Sequence, residues 1–167
     1  MTEQSISSEA TSLNQVPALF KKVPWYNGDV NLDYGGGKYD TATEWLLENY
    51  DVENLVVDKF NRSPEWNAEN FNKASRHCDT VTICNVLNVI KEDDVIDEIL
   101  RDASRYAHEI YISVYEGDGN GIGRETTKGY QRNQKLREYG KFFEKHFNYL
   151  IKDGVAYCHP KKGNNND

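Results

Sequence analysis

Cysteine is scarce in this chain. Cys78, Cys84 and Cys158 form an odd set with neither short-range pairing nor a Cys-x-x-Cys, which speaks against a disulfide framework and against a structural zinc site. His77, His108, His146 and His159 are scattered without ligand spacing, so no metal is expected. Long apolar runs are missing too: none approaches the ~20 residues that cross a bilayer. The opening MTEQSISSEATS is polar and holds no apolar leader core. These absences lead to the expectation of a cytoplasmic protein with no membrane contact. Net positive charge is also lacking. A formal charge of −7 argues against a broad non-specific grip on phosphate backbone.

What is present fits one globular domain. The chain has 167 residues, 38% hydrophobic and 28% charged. Residues 1–12 and 163–167 are polar and are expected to be disordered, leaving 13–162 as the folded unit. Apolar, β-branched runs alternate with amphipathic ones. DVNLDYG reads as a strand, TATEWLLENYD as a helix, NLVVDKF as a buried strand, and SPEWNAENFNKASRH as a helix opened by Ser63 and Pro64. DTVTICNVLNVI reads as a third strand running into a turn, EDDVIDEILRDASRYA as a helix, and HEIYISVYEG as a fourth strand. QVPALFKKV before them reads as a short helix. After the glycine-rich GDGNGIGRETTKG, a long helix is expected over YQRNQKLREYGKFFEKHF, then two strands joined by Asp153-Gly154. The predicted fold is α/β and Rossmann-like, a doubly wound, mostly parallel sheet with a C-terminal antiparallel hairpin.

Such sheets bind ligands beyond the C-terminal ends of their strands, where the strand order reverses. Polar residues cluster at those ends. Asp33 precedes Gly35, Gly36 and Gly37 at a strand-to-helix turn, where side chains are absent and helix N–H groups are free. A plain turn and a ligand cradle both fit the glycines. A nicotinamide dehydrogenase is disfavoured because position 40 is Asp where a third glycine belongs. The acidic Asp33 suits an amine-bearing ligand better than a pyrophosphate. Asp58 follows Gly37 by 21 positions, a distance at which a carboxylate can take ribose hydroxyls.

With Asp33, Gly35, Gly37 and Asp58 in this spacing, and TICNVLNVI at the next strand, the chain resembles class I S-adenosylmethionine-dependent methyltransferases over roughly residues 14–160. It looks most like small methyltransferase-like proteins of phages and bacteria that carry a similar Asn-Val-Leu-Asn-Val-Ile run. The resemblance implies S-adenosylmethionine as cofactor. It implies that Asp33, Gly35 and Gly37 cradle the methionine end, that Asp58 holds the ribose, and that Asn85, Val86 and Leu87 line the site near the sulfonium. Only about twenty residues separate Asp58 from Asp79, so one strand–helix unit of the family looks shortened or missing.

Asn85, Tyr115 and Glu116 are the candidates for accepting or orienting the substrate's proton; turn, cap or edge roles fit them equally. Enzymes that methylate amino groups of DNA resemble one another in a Pro-Pro-aromatic run that is missing after Asn85. No Pro-Cys pair supports attack on a base carbon. The acceptor is therefore expected to be small or presented by a partner. The alternative is a non-catalytic methyltransferase-fold module that contacts protein or nucleic acid through the locally basic segment Arg124 to Lys145.

Overall fold

A computed structural model describes residues 3–162. The first strand, β1 (Val30–Tyr34), leads through the glycine turn into α1 (Thr41–Tyr50), and β2 (Glu53–Val57) is followed by α2 (Pro64–Arg76). Then come β3 (Thr80–Cys84), α3 (Asp93–Ala103) and β4 (Glu109–Ser113). A small hairpin of β5 (Arg124–Thr126) and β6 (Gly129–Gln131) precedes α4 (Gly140–His146), and β7 (Phe147–Lys152) and β8 (Val155–Pro160) close the chain. The main sheet runs β2-β1-β3-β4-β8-β7. The pairs β1–β2, β1–β3 and β3–β4 are parallel, whereas β4–β8 and β7–β8 are antiparallel. This is the expected α/β, mostly parallel, doubly wound sheet with a C-terminal hairpin. From β1 the chain first builds outward to β2, then returns to the other side of β1 as β3, so the order reverses between β1 and β3.

Two cores sandwich the sheet. Ile110 and Ile112 of β4 and Ala156 and Cys158 of β8 face α2, α3 and α4, together with Leu32, Val81, Ile83, Leu100 and Phe143. The alternate residues Tyr111, Val155 and Tyr157 face the opposite way, onto Leu46 of α1 and onto Leu19, Phe20, Val23 and Trp25. The segment that carries those last four forms only a single 3-10 turn at Ala18–Lys21 rather than a longer helix, and Trp25 Nε1 donates to Phe20 O at 2.7 Å to hold it. On this second face β1, β2 and β3 carry a buried polar ladder. Thr80 Oγ1 donates to Asn31 Oδ1, Asn31 Nδ2 donates to Asn54 Oδ1 and Thr82 Oγ1, and Thr82 Oγ1 donates to Asp33 Oδ1. Each member is partnered, so the row is tolerated in the interior and fixes the mutual register of the three strands.

In the stretch between Asp58 and Asp79, which the sequence reading took as short, the chain forms α2 and no further strand, so β2 is the edge of the sheet. Helix α2 meets the hydrogen-bonding needs of that edge with side chains. Trp66 Nε1 and Asn70 Nδ2 both donate to Val56 O at 2.8 Å, while Asn67 accepts from Asp58 N and donates to Asp58 O. Three polar residues of a helix thus stand in for a ladder. Ser63 accepts from Trp66 N and Pro64 opens the first turn, the start that the sequence predicts.

The long basic helix expected after the glycine-rich loop is not one element. Its span, residues 130–147, is broken into the end of β6, a 3-10 turn at Leu136–Tyr139 and the short α4 running into β7, because Asn133 takes a positive φ of 58°. Nor is Arg132 on a solvated face: it is buried. Residues 3–12, expected to be disordered, make defined contacts. Ser5 donates through N and Oγ to the Glu92 carboxylate, and Ser12 Oγ accepts from Lys38 N. The predicted disordered tail, 163–167, lies outside the described residues. Among the described residues no helix is long and apolar enough to cross a membrane.

Candidate functional site

Gly35 N and Gly36 N both donate to Val57 O, so the first two amides of the glycine turn bind the neighbouring strand. Gly35 and Gly37 have φ of +80° and +84°, the left-handed region open to glycine. A Cβ on Gly35 would stand 2.5 Å from Val86 Cγ2, and one on Gly36 would stand 2.6 Å from Asp33 Oδ2. One on Gly37 would meet Ser12 Oγ at 2.6 Å. The glycines therefore admit three parts of the chain itself: the residue after the β3 tip, the acid at the β1 tip and the N-terminal segment.

Asp58 is the centre of the loop that follows β2. Its Oδ2 accepts from Gly37 N at 2.8 Å, and its Oδ1 accepts from Phe60 N, Asn61 N and Asn61 Nδ2 at 3.0–3.1 Å. Three donors crowd Oδ1, while Oδ2 carries one. Asp58 thus ties the glycine turn to the β2 loop. The sequence reading missed a second tie. Arg62 Nε donates to Gly37 O at 2.9 Å, its Nη2 bonds Tyr39 O and Asp40, and its guanidinium sits 4.7 Å from the Trp66 ring centroid. No motif marks an arginine at this place; only the fold brings it under the turn.

Asp33 is buried, with Thr82 and Asn54 donating to its two oxygens at 3.1 and 3.3 Å. Burial raises its pKa from 3.8 to about 6, against the two hydrogen bonds, which favour the charged form. Its carboxyl therefore holds a proton more tightly in the folded chain than in the unfolded one. As the pH rises from about 4 through 6, ionising Asp33 erodes the stability of the ligand-free fold, and a cation beside it would offset that loss. Cys84 lies beside the same space, but burial pushes its thiol up to about 12, which removes it as a nucleophile at neutral pH.

Two cavities open at the C-terminal ends of β1, β2 and β3. The smaller, about 110 Å³, lies between the glycine turn and the N-terminal segment, and Ser12, Asp33, Gly36, Asn61 and Asn85 are among its walls. The larger, about 810 Å³, runs between α2 and α3 past Lys59, Phe60, Phe71, Val86 and Ile99. Gly35 and Asp58 belong to both. Of the residues singled out from sequence, Asp33, Gly35, Gly37, Asp58 and Asn85 meet at the smaller cavity and Val86 at the larger. Asn85 has a φ of 57°, and its N–H donates to Ser113 O at 3.0 Å. Leu87 is buried in the core and lines neither cavity. Tyr115 and Glu116 also line neither. Tyr115 is exposed, and Glu116 Oε2 accepts from Leu136 N at 2.6 Å, which gives it a structural bond to the segment before α4.

The sequence matches no protein-family model and no curated protein. By structure the chain is similar to one from the "Complex between the Haloferax volcanii Trm112 methyltransferase activator and the putative methyltransferase", with a TM-score of 0.52 and 14% identity over 81% of this chain and 68% of that one. At this identity the likeness concerns the fold, which is methyltransferase-like.

Proposed function

We propose that this protein binds S-adenosylmethionine and transfers its methyl group to an acceptor that is small or presented by a partner protein. One observation carries the reading. Two cavities meet at Gly35 and Asp58, beyond the strand ends at the reversal of strand order, with a buried acid on the side of the smaller one. The smaller cavity suits the amino-acid end of the ligand, where Asp33 would face the ammonium and the glycine backbone would allow close approach. The larger suits the adenine, against Phe60 and Val86. When bound, the cofactor supplies an electrophilic methyl group on a sulfonium. The chain's part is positioning and exclusion of water: Ser8, Thr11, Ser12, Leu13, Gln15 and Pro17 roof the smaller cavity, and Asn85 offers an amide that can orient the acceptor's proton. Tyr115 and Glu116 remain candidates for the acceptor side. The neighbour's presence in a complex with an activator supports contact between this chain and a partner protein.

Calorimetric titration with S-adenosylmethionine and S-adenosylhomocysteine tests the reading. Micromolar binding is the expected result. No binding at millimolar concentration would sink it.

Asp33 adds a pH signature. Only its ionised form attracts an ammonium, so S-adenosylmethionine affinity is expected to fall by up to about tenfold per pH unit below about 6. Methylthioadenosine, which lacks the amino group, should show no such fall. Equal pH profiles for the two ligands would remove Asp33 from the ammonium site.

A specific observation favours a second reading, a methyltransferase-fold module without catalysis. Asp58 and the Gly35 and Gly36 amides are satisfied within the chain, so the turn holds its shape with no ligand. On that reading the titrations are silent, and exposed cations such as Lys128 and Arg137 contact a protein or nucleic-acid partner.

A further inference from the structure

Asp58 already accepts four hydrogen bonds, three of them on one oxygen, which raises the question of which other group reads the ligand's ribose, and we infer that the side-chain carbonyl of Asn61 accepts one of its hydroxyls. This inference rests on the cofactor reading above and assigns within it a recognition residue outside the acidic strand-end pattern. Asp58 is already engaged: its Oδ1 accepts from Phe60 N, Asn61 N and Asn61 Nδ2 and its Oδ2 from Gly37 N, so Oδ2 alone keeps an acceptor position. A ribose could give Asp58 one hydroxyl, at Oδ2, and its second hydroxyl would need another acceptor.

Asn61 presents the complementary feature. Its Nδ2 must face Asp58, because a carboxylate only accepts, so the orientation of the amide is fixed by chemistry. Its Oδ1 is then turned away from Asp58 and is enclosed without a hydrogen-bond donor. An enclosed acceptor left unpaired is costly and uncommon in folded proteins. Asn61 also belongs to the wall of the smaller cavity, together with Asp33, Asp58 and Ser12. That cavity is roofed by the N-terminal segment, so ligand and carbonyl meet beneath this cover. The unpartnered oxygen belongs to a residue of the cavity wall, and a hydroxyl is a donor that satisfies an amide oxygen without a charge. Asp58 then acts through Asn61: it holds the amide and so aims the carbonyl.

The test is a cycle of calorimetric titrations on the full chain, wild type and Asn61→Ala, with S-adenosylhomocysteine and its 2′-deoxy and 3′-deoxy forms. Wild type should bind one deoxy form about tenfold more weakly than the parent ligand, the scale of one hydrogen bond. Asn61→Ala should weaken the parent ligand about as much, yet bind parent and that deoxy form alike, since the shared contact is already gone. A purely structural role for Asn61 would weaken all three ligands equally and overturns the inference, as would unchanged affinity in the variant. If Asn61→Ala fails to fold, the wild-type series still decides: equal affinity for the parent and both deoxy forms overturns the assignment. Failure of wild type to bind S-adenosylhomocysteine at all would overturn the cofactor reading itself, an outcome distinct from each of these.

Discussion

Asp58→Ala is expected to lower the unfolding free energy by about 3 kcal/mol and the midpoint of thermal unfolding by about 10 °C, even with no ligand present. The carboxylate is 8% exposed and accepts four hydrogen bonds, three from backbone amides. Alanine leaves Gly37, Phe60 and Asn61 N–H groups to find water at a half-enclosed turn. Hydrogen bonds to a charged acceptor each contribute about 1.5–3 kcal/mol, and partial rehydration of the loop recovers some of the total. Cofactor affinity should vanish as well, because the turn and the β2 loop would no longer be tied. A group that only touched ribose would leave the unliganded melt unchanged. Thermal melts of ligand-free wild type and variant, followed by circular dichroism, separate the two roles. An unchanged midpoint would show that the four bonds carry no net stability.

Arg132→Glu should be more damaging still, lowering the unfolding free energy by more than about 4 kcal/mol. Arg132 lies in the locally basic segment, and by sequence it reads as part of a solvated surface. In the fold it is 7% exposed. Its Nε donates to Ile90 O at 2.7 Å, Nη2 to Lys91 O at 3.0 Å and Nη1 to Gln134 Oε1 at 3.0 Å, and Nη2 also pairs with Asp93. The guanidinium rests 5.7 Å from the Phe142 ring centroid. Its own N–H donates to Asn88 O, so the residue clips the end of the β5–β6 hairpin to the chain between β3 and α3. A glutamate would bury a negative charge against two carbonyl oxygens and Asp93. Lys128→Glu and Arg137→Glu, on exposed positions, should change stability by less than about 0.5 kcal/mol. Urea unfolding of the three variants tests this directly. A mild effect at Arg132 would contradict its burial. Partner binding by the basic segment is best probed with the two exposed variants, since loss of binding by Arg132→Glu would report unfolding.

The elements legible in the sequence are those with strong local signals. The alternation of β-branched runs with Ser63-Pro64 and with the acidic start of α3 gave away four parallel strands and three helices. Asp153-Gly154, with φ of 52° and 75°, marked the C-terminal hairpin. The segment 130–147 was misjudged because its spacing of Tyr, Leu and Phe mimics a helix, while Asn133 sits in a conformation that no helix accepts. Helical periodicity is a weak guide where a turn residue interrupts it. The contacts of the N-terminal residues 3–12 were not legible for a different reason. Polar composition says nothing about a segment held by side-chain bonds to distant residues, such as Ser5 to Glu92.

The same division runs through the candidate site. The sequence by itself determined that an acid, three glycines and a second acid stand at the ends of adjacent strands, since strand length and chain order are local properties. The tertiary structure alone decided what those groups do. It gave Asp58 four donors, placed Arg62 beneath the glycine turn, left the Asn61 carbonyl without one, and set Trp66, Asn67 and Asn70 along a sheet edge in place of a strand. Hydrogen-bond capacity is spent between residues far apart in the chain or across a turn, so how much of it remains for a ligand can be counted only once the partners have been brought together.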